Sequence, residues 1–326
     1  MKRKFLGGML VLAFLSAWAG DDALAEALNN GADAKIVMRV VDQTGRPVSN
    51  ACVKCGVWRS HANGGPVEVA MRTDGDGLCS VLARKCTGII TWNVGKDGFY
   101  ESRGRMNLAS DGGRGRSVSG DRWIPWGDVK KVTLKRQINP GKLCVAPNAR
   151  YIGIRIPKFG EWLSFDLCKL DWLPPFGQGD CSDAIIFCEK NVKHRIDDFS
   201  FVMAVSFTNC CHAGFYILNK DKDTTFSTAY RVDTNAVFKT TYEFSQKRTG
   251  SVKECHELGA DEYIVFRTRT KTDESGNLLS AHYGVISGPF RMGSIKIHIE
   301  DSCFNPVPND LNIEDGRNVR REINKR

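Results

Sequence analysis

The chain has 326 residues, 42% of them hydrophobic and 25% charged, with a formal net charge of +9. That is the balance of an ordinary globular protein that can bury a core, and the length suggests about two domains. Its 32 glycines favour many turns and speak against long helices.

The first residues read as a secretory signal over 1–25. Met1-Lys2-Arg3-Lys4 is a positive start, Phe5 to Ala19 is apolar, and Ala23-Leu24-Ala25 is a small-x-small cleavage site, with Ala17-Trp18-Ala19 as a second candidate. The apolar run is about 15 residues, short of the roughly 20 that a spanning helix needs, so an uncleaved anchor is the less favoured alternative. No later stretch is apolar enough to span a bilayer, and the chain ends on the charged run Arg317 to Arg326. The mature protein is therefore expected to be secreted or periplasmic, with no membrane span after signal cleavage. Residues 1–25 carry a net +1, so the mature chain keeps +8. A basic exported protein can associate with acidic glycans or other envelope components, and export argues against a nucleic acid.

All twelve cysteines lie beyond the signal: Cys52, Cys55, Cys79, Cys86, Cys144, Cys168, Cys181, Cys188, Cys210, Cys211, Cys255 and Cys303. An even number in an oxidising compartment makes disulfides the expected state, each stabilising by about 2–4 kcal/mol. Four lie before residue 140 and eight after it, consistent with pairing inside each domain. Connectivity does not follow from sequence.

From Lys35 the apolar pattern has period two. Ile36, Met38 and Val40 alternate with Val37, Arg39 and Val41; Val67, Val69 and Met71 alternate with Glu68, Ala70 and Arg72. Turns at Gly45-Arg46-Pro47, Gly64-Gly65-Pro66 and Asp74 to Gly77 separate the runs, and Gly88 to Val94 is another. Strands at this spacing predict a sandwich or barrel. The start Val41, Asp42, Gly45, Pro47, Val48 and Ala51, the turn Thr73, Asp74 and Gly77, and the ending Lys96, Gly98, Phe99 and Tyr100 carry a family pattern. Residues 35–138 thus resemble the carboxypeptidase regulatory-like, or transthyretin-like, β-sandwich. The resemblance covers about a third of the chain. It implies a fold and is nearly silent on activity; the four cysteines here are not part of the family's usual pattern.

Glu101 to Asp128 reads as a long basic loop ending on Trp123 and Trp126, and Val129–Arg136 as the last strand before a boundary at Asn139-Pro140-Gly141. Residues 141–326 are expected to form a second β-rich domain of unknown role. Its strand candidates are Tyr151–Ile156, Ala184–Phe187, Phe201–Phe207, Phe215–Leu218, Ala236–Thr241, Tyr263–Arg269 and Ile295–Glu300. The last places three isoleucines on one face. Two loops shaped by proline, Asp171-Trp172-Leu173-Pro174-Pro175-Phe176-Gly177 and Asn305-Pro306-Val307-Pro308-Asn309-Asp310, punctuate this half; with them it is similar to uncharacterised exported bacterial proteins in which such a region follows a transthyretin-like module, a resemblance that carries no activity. The fold class predicted for the whole is all-β.

The candidate chemistry is sparse. Cys52-Val53-Lys54-Cys55 sits in a predicted strand, away from the helix N-terminus that a redox pair needs, so disulfides are preferred over a zinc site with Cys79 and Cys86. Cys211-His212 and Cys255-His256 offer soft ligands, but neighbours on a strand point apart. His298-Ile299-Glu300 lacks the Pro-Cys-x-x-Cys of a nucleobase deaminase. The pairs Asp74/Asp76 and Asp221/Asp223 read as turn residues. No catalytic residue, metal or cofactor is therefore assigned. The favoured binding residues are Arg114, Arg116, Arg122, Trp123 and Trp126, since arginine forks pair with oxyanions and exposed indoles suit sugar rings. The competing reading is a solvated loop with its tryptophans packed back on the sandwich. The function expected is an exported, non-enzymatic structural or ligand-binding protein of the cell envelope. The alternatives are a glycan- or polyanion-binding protein using residues 101–128 and a hydrolase with its site in the second domain. Oligomeric state is left open.

Overall fold

The structure is a computed structural model that describes residues 22–110, 117–141, 143–144, 153–207, 211–299 and 302–314. Among these, strands dominate, with one helix over residues 22–30 and a short 3-10 turn at His61–Asn63. The chain is all-β in class. It divides into two compact units: Met1–Gln137 with Asp223–Phe226, and Ile138–Lys222 with Ser227–Arg326. Residues 1–21 of the expected signal lie outside the described residues.

The helix over 22–30 belongs to the first unit, whose core takes in Ala27 and has Leu24 packed against it. It stops at Gly31, which has φ 80° and whose Cβ, if present, would lie 2.3 Å from the Lys85 carbonyl oxygen; only glycine satisfies both demands.

Nine strands follow in the described part of this unit: β1 (Ala32–Asp42), β2 (Cys52–Val57), β3 (Val67–Arg72), β4 (Leu78–Cys86), β5 (Ile89–Gly95), β6 (Ser102–Asn107), β7 (Ser117–Ser119), β8 (Arg122–Ile124) and β9 (Asp128–Leu134). One sheet has the order β4-β1-β8-β7 with β9 also on β1; the other runs β3-β2-β5-β6. Inward residues of both sheets share one core. Ile36, Met38 and Val40 come from β1, Val53 and Val57 from β2, Val81 and Ala83 from β4, and Ile90 and Val94 from β5. This is a β-sandwich, and the period-two reading of β1 gives its buried face correctly.

The sequence motifs act as turns that tie these sheets. Asp42 Oδ1 accepts the Thr44 amide at 2.8 Å, the Thr44 hydroxyl at 2.6 Å and the Arg46 amide at 3.1 Å. A short carboxylate can organise a turn in this way. Thr73 is buried; its Oγ1 donates to the Val48 carbonyl at 2.7 Å and accepts from the Ala51 amide at 2.9 Å. Gly77, at φ 72°, leaves no room for a Cβ, which would lie 2.4 Å from the Val40 carbonyl.

One expectation is corrected here. Glu101 to Asp128 is not one long loop, because β6, β7 and β8 lie within it. In β6 the inward positions are Ser102, Gly104 and Met106, and the outward ones are Arg103, Arg105 and half-buried Asn107, so the segment looks polar in sequence. Gly104 is flat enough for the Trp92 ring to rest on it: a Cβ there would lie 2.2 Å from the ring. The final strand β9 runs parallel to β1, pairing Ile36 with Asp128 through Asp42 with Leu134. Asp223–Phe226, distant in sequence, also joins this unit; Phe226 stacks on Tyr100 at 4.4 Å between ring centroids.

The second unit contains β10 (Ile154–Arg155), β11 (Trp162–Asp166), β12 (Asp171–Trp172), β13 (Ala184–His194), β14 (Asp198–Ser206), β15 (Gly214–Asn219), β16 (Thr241–Thr249), β17 (Val252–His256), β18 (Glu262–Thr272), β19 (Leu278–Ile286), β20 (Phe290–Met292), β21 (Lys296–Ile299) and β22 (Ser302–Phe304). They form three sheets: β12-β11-β13-β14-β16-β17, β15-β18-β19-β22 and β10-β21-β20. The second of these is buried on both faces. Ile264 and Phe266 of β18 enter a large core shared with β11, β13, β14 and β16, while Tyr263 and Val265 enter a smaller one with Tyr216, Val232, Tyr283 and Ile313. Of the three isoleucines at 295–299, Ile297 and Ile299 are buried and Ile295 is exposed. Residues 236–240 do not form the predicted strand; β16 begins at Thr241.

Candidate functional site

The residues favoured by the sequence are separated by the fold. Arg114 and Arg116 lie outside the described residues. Arg122 and Trp126 do meet: the guanidinium carbon stands 4.9 Å from the indole centroid, and Trp126 is 38% exposed. That is a cation–π contact with one ring face already covered. Trp123 is a correction. It is 1% exposed, and its indole Nε1 donates to the Cys86 carbonyl at 2.9 Å. Neighbouring residues of β8 point to opposite faces, so Arg122 faces solvent and Trp123 faces the core.

The structure shows no disulfide among the described residues, and Cys210 lies outside them. Cys52 and Cys55 sit three apart on β2 and therefore on opposite faces: Cys55 is buried and Cys52 half-buried on the other side. Cys55 instead lies near Cys79 of the facing sheet. Burial first, and the neighbouring Cys79 second, push the Cys55 thiol up to about 12. In the second unit, Cys144 and Cys168 share a side-chain hydrogen bond. Burial, then Cys144, push the Cys168 thiol up to about 12. Among the described residues no group of three or more His, Cys, Asp or Glu converges to hold a metal ion.

One ionic cluster in the second unit had no sequence signal. Asp183 is fully buried and Asp166 is 1% exposed, and Arg269 bridges them. Its Nε donates to Asp183 Oδ1 at 2.8 Å and its Nη2 to Asp183 Oδ2 at 2.9 Å and to Asp166 Oδ1 at 3.3 Å. The other acceptor positions are also used. Leu167 and Thr268 donate to Asp183, and the amides of Cys168, Lys169, Asp180 and Cys181 donate to Asp166. Acids whose hydrogen-bonding positions are filled in this way hold loops together.

Among the described residues, an open groove of about 420 Å³ lies in the second unit, lined by Cys211, His212, Ala213, Thr234, Ala236, Phe238, Thr240 and Arg267. Two of these, Cys211 and His212, were noted in the sequence; Arg267 and the threonines were not. Gly214 makes the wall possible. A Cβ there would lie 2.7 Å from the Lys239 carbonyl oxygen and 3.0 Å from the Phe238 Cβ, so residues 238–239 approach β15 closely. Phe215 and Lys239 then exchange backbone hydrogen bonds at 2.9 and 2.7 Å. Arg267 Nε donates to the His212 carbonyl at 2.6 Å, its guanidinium carbon stands 3.9 Å from the Phe238 ring centroid, and its side chain also bonds Tyr283. His212 Nε2 meets the Gly276 carbonyl at 2.7 Å, and Thr270 Oγ1 donates to the Cys211 carbonyl. Desolvation lowers the Arg267 pKa from its ordinary value.

No protein-family model matches the chain, and no curated protein matches it. Solved structures similar to it at low level include the following three. A 3-chlorocatechol 1,2-dioxygenase from Rhodococcus opacus 1CP matches at 16% identity and TM-score 0.25, over 33% of this chain and 62% of that one. The alignment therefore spans less than two thirds of the dioxygenase. A shaft pilin, spaA, from Lactobacillus rhamnosus GG matches at 8% identity and TM-score 0.24, over 56% and 90%. BcpA, the major pilin subunit of Bacillus cereus, matches at 10% identity and TM-score 0.22, over 84% and 96%. At these TM-scores none of the likenesses assigns an activity.

Proposed function

We propose that this is an exported, non-enzymatic protein of the cell envelope, serving as a structural or ligand-binding module whose first unit is a transthyretin-like sandwich. The observation that carries export is the placement of the thiols. Cys144 and Cys168 are in hydrogen-bond contact, and Cys55 lies close to Cys79 across the sandwich core. Oxidation there would join segments that are far apart in sequence, which is how small β domains outside the cytoplasm are stabilised. The turn pattern from Val41 to Tyr100, with Asp42, Thr73 and Gly77 holding the turns, supports the family assignment.

The test is fractionation of cells expressing the full chain, with thiols counted before and after reductant. Export predicts protein outside the cytoplasm, with Cys144 linked to Cys168 in peptide maps. A cytoplasmic protein with every thiol reactive after unfolding would overturn the reading.

A second reading rests on Arg122 and Trp126. Their solvent-exposed contact suits an acidic glycan, which a guanidinium can pair with and an indole can support. A glycan array comparing the wild type with Arg122→Ala and Trp126→Ala decides it; equal binding by all three would exclude that surface.

A further inference from the structure

We propose that the groove beside His212 binds a small monocarboxylate, with the Arg267 guanidinium as its anchor. This goes beyond the reading above and does not depend on export.

The argument starts from a contrast between two arginines on β18. Arg269 has two carboxylates to itself. Arg267, two residues earlier and half-buried, has none among the described residues, although it is the cation that lines the groove. A partly desolvated guanidinium without a counter-ion favours an anion that can reach it. Its orientation is fixed beforehand. Nε is held by the His212 carbonyl, the Tyr283 side chain takes a further bond, and the Phe238 ring lies against it. Of the five N–H donors that an arginine carries, the rest are uncommitted among the described residues.

The surroundings narrow the ligand. The floor is formed by buried Ala213 and half-buried Ala236, and the rim by the exposed threonines Thr234 and Thr240. A volume of about 420 Å³ is of small-molecule size. A body with hydroxyl groups would find partners at the threonines. Asp233, next to Thr234, is turned into its own turn, where its Oδ1 accepts the Asn235 amide at 2.9 Å. One guanidinium balances one negative charge, and a carboxylate matches its planar fork. A phosphate dianion would call for a second cation in the groove, and no lysine or second arginine lines it.

The experiment titrates the full purified chain, by calorimetry and by amide chemical shifts, with glucuronate, glucose, acetate and inorganic phosphate. Glucuronate is expected to bind at least about tenfold more tightly than glucose, the loss expected when a guanidinium is left without its anion. Shifts should centre on residues 211–213 and 234–240. Arg267→Lys keeps the charge and removes the fork, and should weaken glucuronate by about tenfold. Thr240→Val, on the exposed rim, should weaken glucuronate and leave acetate unchanged. If Arg267→Lys melts well below the wild type, the Thr240→Val comparison decides alone. Equal binding of glucose and glucuronate, tighter binding of phosphate than of either carboxylate, or no response in any titration would overturn the proposal.

Discussion

Arg269 grips Asp183 with two parallel hydrogen bonds, Nε to Oδ1 at 2.8 Å and Nη2 to Oδ2 at 2.9 Å, at a carboxylate with no solvent exposure. A bulge makes this possible. The register of β18 on β19 shifts between Thr268 and Lys271, and Arg269 takes φ 50°. Consecutive residues of a regular strand point to opposite faces, yet Thr268 and Arg269 both bond Asp183. Removing one partner leaves the other charge buried and unpaired. Arg269→Met is therefore expected to destabilise the second unit by about 3–5 kcal/mol. Asp183→Asn should also destabilise it, read by urea unfolding, and an unchanged midpoint for either would show that the cluster is not a stabilising node.

The same cluster sets an acid limit. Burial opposes ionisation of Asp166, but the amides of Lys169, Asp180 and Cys181 and the Arg269 guanidinium outweigh it and hold its carboxyl below its ordinary value of 3.8. A depressed folded-state pKa contributes stability that is present above the unfolded value and is lost as pH falls through the folded one. Urea midpoints should fall as pH drops below about 4, and the fall should be smaller in Asp166→Asn, where that titration is gone.

Gly284 is a steric requirement. A Cβ there would lie 2.2 Å from the Phe266 ring and 2.6 Å from the Cys303 carbonyl, in a sheet with both faces buried. Gly284→Ala should cost about 1–3 kcal/mol or more, as overpacked cores do. Gly75→Ala is the control, since nothing lies within 4 Å of its Cβ position and its φ is not positive. It should shift stability by no more than about 0.5 kcal/mol.

Thr73 links two turns through one hydroxyl. Thr73→Val keeps the shape and leaves the Val48 carbonyl and the Ala51 amide without that partner, so a loss of about 1–3 kcal/mol is expected in thermal or urea unfolding of the first unit. Thr73→Ser should recover most of it.

Thiol reactivity should sort by burial. In reduced, folded protein near pH 8, exposed Cys211 and Cys255 should react with maleimide first. Cys55, Cys168 and Cys188, each pushed up to about 12 chiefly by burial, should react only after unfolding. Mass spectrometry of early time points reads the order; early labelling of Cys188 would contradict it.

The sequence alone determined the local grammar of the first unit. The alternation at Ile36, Met38 and Val40 named a buried face, and Asp42, Thr73 and Gly77 announced turns, because period-two patterning and turn chemistry act over a few residues. It also gave the all-β class. It did not separate Trp123 from Trp126, since one residue of offset decides which indole enters the core and which keeps an open edge. Nor could it show β9 running parallel to β1, the bulge that turns Arg269 onto Asp183, or Arg267 lining a groove with Thr234 and Thr240 and paired with no acid among the described residues. These depend on strand register and on segments tens of residues apart meeting in space. Only the tertiary structure decides which charges find partners there.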